Sequence, residues 1–131
     1  MYNNEAKLLE KMLKWHIKES KCQLEKIANF KRTKNYGAFF KFIDSELNPL
    51  HQAPWPIIKE KVTPNLTEDQ IEELFLSGRI TFPLHNKLAA KLMKLKYQVS
   101  NASRSLEEIA ITNILGGQPD FIYREDGRAS Y

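Results

Sequence analysis

Between Glu5 and Lys34 the sequence contains neither proline nor glycine. An uninterrupted run of that length, with Asn3 or Asn4 able to cap the first free amides, predicts a single helix over about residues 4–34, roughly 45 Å long. At 100° per residue, Leu9, Leu13, His16, Ile17, Ser20, Leu24 and Ile27 fall on one side, and Lys7, Lys11, Lys14, Lys18 and Lys21 fall on the other. Leu8, Met12 and Trp15 widen the apolar arc to roughly 200°, about twice the stripe that one neighbouring layer covers. Such a rod needs more cover than one partner helix supplies, so either the rest of the chain wraps it or an apolar flank stays open.

The remaining sequence reads as further helices separated by punctuation. After Asn35 to Gly37, "AFFKFIDSEL" spaces Phe39, Phe42, Ile43 and Leu47 helically and predicts a short helix over about 38–47, stopped by Pro49. Prolines at 49, 54, 56 and 64 then predict an ordered loop, with a strand signal at Ile57 to Val62 and Trp55 lying over the core. Thr67 and Gln70 stand at the N-cap and N3 positions of a capping box, with Leu66 and Ile71 as a hydrophobic staple. They predict a helix over about 67–77, ended by Gly78. Pro83 suits the first turn of a second long helix, over about 83–115. Its heptad phase runs unbroken through Leu88, Leu92, Leu95, Val99, Ala102, Leu106 and Ile109 to Gly116 and Gly117. Ser105 and Glu108 offer a second capping box, but the unbroken phase favours continuity. The tail carries a hairpin signal at Asp126-Gly127.

These elements predict an all-α antiparallel helical bundle of one domain, residues 1–131, with two long helices and two short ones. With 42% apolar and 27% charged residues, the composition suits a globular chain. There is no apolar run of membrane-spanning length and no signal-peptide core near the N-terminus, and Cys22 is the lone cysteine. A cytoplasmic location and no membrane association are therefore expected.

Charge is segregated along the chain. Residues 1–41 carry ten basic side chains against four acids, residues 44–76 carry seven acids against two lysines, and Arg79 to Arg104 is basic with no acid. The leading expectation is a small non-enzymatic protein-interaction module, such as an adaptor, chaperone-like subunit or inhibitor. It would act on a protein partner or a second copy of itself through Leu8, Met12, Trp15 and Trp55. The alternative is a nucleic-acid-binding regulator that uses Lys7, Lys11, Lys14, Lys18, Lys21, Lys87, Lys91 and Lys94 to neutralise phosphates. His16, His51 and His85 are scattered, with no paired-histidine spacing and no glycine-rich phosphate loop, so neither a metal nor a cofactor is expected. His16, on the apolar face, reads as a satisfied or interfacial histidine, and Cys22 as a small apolar group at the edge of the buried arc.

"RITFPLH" places Arg79 and His85 at a spacing that resembles the arginine-to-histidine motif of the HEPN ribonucleases, small helical bundles that cleave RNA without metal. The resemblance implies a histidine general acid or base and an arginine that steadies phosphate charge. It covers these seven residues only, and Pro83 interrupts the helix that accompanies the motif in that family. "IEELFLSGRIT" also resembles the short helical-pair module called SHOCT, up to Thr81.

Overall fold

The computed structural model describes residues 2–81 and 85–114, the side chains at 2, 3 and 78–81 excepted. Nearly all of them are helical, and no strand occurs among them. The first long helix, α1, spans Tyr2–Thr33. It starts slightly earlier than expected, which places Asn3 and Asn4 inside its first turn.

Its C-terminus is closed by a device that the sequence conceals. Lys34 adopts the left-handed conformation at φ 57°. The amide of Asn35 then donates to the Phe30 carbonyl at 3.1 Å, and that of Lys34 donates to Lys31 at 3.4 Å, the two bonds of a Schellman motif. A lysine occupies the position that glycine usually takes. The Asn35 side chain in turn accepts from the Ala38 amide at 3.3 Å and starts α2, Tyr36–Phe42.

Pro49 does not stop this helix, contrary to the expectation. α2 widens into a π-helical turn at Ile43–Leu47, closed by the bond from the Asn48 amide to the Ile43 carbonyl, and continues as α3, Asn48–Gln52. The wider turn is the physical reason. Pro49 lacks an amide and would press its ring on the carbonyl four residues back, and a π turn relaxes that register. The proline-rich loop is also largely helical. α4 occupies Trp55–Lys61 where a strand was signalled, because Pro56 sits in its first turn, where no amide is needed.

The capping box forms as expected. The Gln70 amide donates to Thr67 Oγ1 at 3.1 Å, and the Thr67 amide donates to Gln70 Oε1 at 2.9 Å. α5 runs Glu68–Thr81, through Gly78 rather than ending at it. The second long helix, α6, spans Asn86–Ile114 without a break near residues 100–105. Pro83 and the tail with its hairpin signal lie outside the described residues.

The fold is an all-α bundle, but the two long helices are parallel to each other. Glu10 of α1 lies beside His85, at the start of α6, with 3.9 Å between carboxylate and imidazole. Further along, Ile27 packs in one cluster with Val99 and Leu106. Between the two, α2 to α5 carry the chain back to the start of α1 before α6 begins. The antiparallel relation that short loops would impose therefore holds for α1 against the returning α2–α3 segment, and not for α1 against α6.

The returning helices form one inner layer. Ile58, Val62, Ile71 and Phe75 meet Leu9, Met12, Leu13 and Ile17 at one end, and Phe39 and Phe42 meet Ile27 at the other.

Candidate functional site

The apolar flank is mostly closed by the chain itself. Met12 is 0% exposed and belongs to the core, so it is corrected from a partner-binding residue to a structural one. Trp15 and Trp55 are half-buried against the same cluster, and Trp55 meets the Phe75 ring edge-on at 5.5 Å. Leu8 is half-buried. The cover comes from α4 and α5, which occupy the sector of α1 that a two-helix contact would have left open.

The lysines behave differently. Lys7, Lys11, Lys14, Lys18 and Lys21 are all exposed on α1, and Lys87, Lys91 and Lys94 are all exposed on α6. Each row lies on the side of its helix away from the inner layer, because Leu9, Leu13, His16 and Ser20 on α1, and Leu92, Val99 and Ser103 on α6, face inward. Parallel neighbours that rest on the same layer turn their outward sides the same way, so the two rows share one face. From Lys7 to Lys21 that face is about 21 Å long, and adjacent helix axes lie about 8–10 Å apart. Glu10 sits at the seam. Its carboxyl is held below the ordinary range by the Lys14 ammonium bonded to it at 2.7 Å, so it offsets one charge. Asp44, Glu46, Glu60, Glu68, Asp69, Glu72 and Glu73 are exposed on the inner-layer elements or the turns beside them. The molecule therefore has a basic side and an acidic side.

Beneath α1 lies a polar cluster that the sequence did not reveal. His16 is 1% exposed, and its ring centroid is 5.7 Å from that of His51 on α3. Gln23 Nε2 donates to the Glu46 carbonyl at 3.0 Å, which leaves Gln23 Oε1 to accept from His51 Nε2 at 2.6 Å. That network assigns the Nε2–H tautomer to His51. Burial, then His51, then Lys96 push the pKa of His16 down to about 3, and the Leu50 backbone carbonyl acts the other way while falling short of hydrogen-bonding geometry. Burial and then Lys96 push His51 down to about 4. Both rings are neutral at pH 7. His16 standing on an apolar helix face was the one available signal; its partners come from distant sequence.

Of the ribonuclease pair, the structure describes the histidine alone. His85 is 5% exposed, with Glu10 at 3.9 Å, and the Arg79 side chain lies outside the described residues. Cys22 is exposed rather than at the edge of the core. No His, Cys, Asp and Glu grouping among the described residues could hold a metal, and no described helix is long and apolar enough to cross a membrane. No family model, curated protein or solved structure matches this chain.

Proposed function

We propose that this protein binds nucleic acid without sequence preference, gripping the phosphate backbone of a duplex with the lysine face of α1 and α6. The observation that carries this reading is the sharing of one outward face by eight exposed lysines from two parallel helices. Lysine supplies charge rather than base readout, which suits contact with the regularly spaced phosphates of a duplex. The protein-partner reading through Leu8, Met12, Trp15 and Trp55 loses its main support with the burial of Met12. Catalysis forms no part of the proposal.

A mobility-shift titration with random-sequence duplexes tests it. If about five ammonium groups meet phosphates, affinity should fall on the order of several hundredfold between about 50 and 200 mM salt. Replacing Lys11, Lys14 and Lys18 together with Glu should abolish the shift while leaving helicity intact. Absence of any shift for the unaltered protein at about 50 mM salt would dispose of the proposal.

A further inference from the structure

On the far side of the core from α4, the π turn and α3 stand away from the second half of α6 and leave a cleft of about 450 Å³, within the range of small-molecule sites. The α6 wall presents Lys96, Ser100 and Arg104. These are spaced four residues apart, so they form one row about 12 Å long on a single helix face. The α3 wall presents Asn48, His51 and Gln52, all without formal charge in the folded protein. Two cations, a hydroxyl and two amides thus converge, and Glu107, the lone acid in the lining, stands at the end beyond Arg104. Ile43, Leu47 and Val99 supply an apolar part of the same cleft.

We infer that this cleft binds a small organic phosphate, with its anionic group against Lys96 and Arg104 and its apolar body against Ile43, Leu47 and Val99. Charge-assisted hydrogen bonds from ammonium and guanidinium to phosphate oxygens are stronger than neutral ones, and the Ser100 hydroxyl adds a donor between them. The Gln23 contact fixes the His51 ring, so this wall is already in place before the ligand arrives. The π turn is part of the design. It lets the chain continue past Pro49 directly into α3, whose Asn48 and His51 line the cleft with the cationic row. The cleft is separate from the lysine face, and neither site depends on the other.

Titration of the full chain with phenyl phosphate, followed residue by residue through amide and imidazole NMR shifts, tests the inference. The expected result is saturable movement at Ser100, Ser103 and His51, weaker movement with inorganic phosphate, and none with phenol. Arg104→Gln, at an exposed position, should weaken binding roughly tenfold, and Lys96→Gln should do at least as much. The triple Lys11, Lys14 and Lys18 to Glu variant should bind phenyl phosphate as the wild type does, which separates this site from the nucleic-acid face. Shifts that stay linear, that map to the α1 lysines instead, or that survive both Arg104→Gln and Lys96→Gln overturn it.

Discussion

The outward and inward sides of α1 treat ionisable groups in opposite ways. Outside, Lys7, Lys11, Lys14, Lys18 and Lys21 stand in water, where one ammonium beside another costs little. Inside, His16 and its neighbour His51 are stripped of solvent within reach of Lys96, and both are held neutral. The difference shows that charge on this protein is sorted by layer. The two lysine rows face out on the long helices, the seven acids of residues 44–76 are exposed on or beside the returning helices, and the His16–His51 pair lies between.

The sharpest contrast is between neighbours in sequence. Met12→Ala should cost about 2–5 kcal/mol of stability in urea denaturation, as a fully buried side chain does, whereas Lys11→Ala should stay within about 0.5 kcal/mol. Equal costs would erase the distinction between the two sides.

Between pH 7 and 5 acid should act on the inner side. The folded-state pKa values of His16 and His51 lie below the unfolded value near 6.5, so the unfolded chain binds more protons as pH falls. Their contribution is therefore complete above pH 6.5 and drains away as the pH drops towards 4 and then 3. Each histidine steepens the loss by about 1.4 kcal/mol per pH unit, which amounts to about 3 kcal/mol for the pair between pH 6.5 and 5. Denaturation midpoints at pH 7, 6 and 5 measure it, and a flat profile would show that the rings are not held neutral by the fold. His16→Leu should sharpen the point. Exchanging a buried imidazole whose nitrogens lack protein partners for an apolar group should add about 1 kcal/mol at pH 7 and roughly halve the acid slope.

The smallest effect is at the end of α1. Lys34→Gly should stabilise by about 0.5–1 kcal/mol, because glycine adopts a positive φ without the Cβ clash that lysine suffers.

Local features of this fold were legible because they are written in neighbouring residues. The proline-free run gave α1, Thr67 and Gln70 gave the start of α5, and the unbroken heptad phase gave the continuity of α6. What escaped is carried by contacts between distant segments. Helical periodicity says that Met12 is apolar, but not that α4 and α5 will cover it. Pro49 reads as a stop because its missing amide is visible in sequence, whereas the π turn that accommodates it is not. The direction of α6 relative to α1 depends on how far α2 to α5 return, and no local pattern encodes that sum. The lysine rows were each legible as stripes; their union on one face follows only from the parallel packing. The histidine cluster and the cleft beside it need α1, α3 and α6 to be in place together.

That union is the central claim, and the salt dependence of duplex binding tests it most directly. We predict that log affinity falls linearly with log salt, and that Lys11→Ala on α1 and Lys91→Ala on α6 each lower the slope by about one. A slope that responds to Lys11→Ala but not to Lys91→Ala would mean that the two helices do not present one shared surface, and an affinity indifferent to salt would contradict the phosphate-binding face altogether.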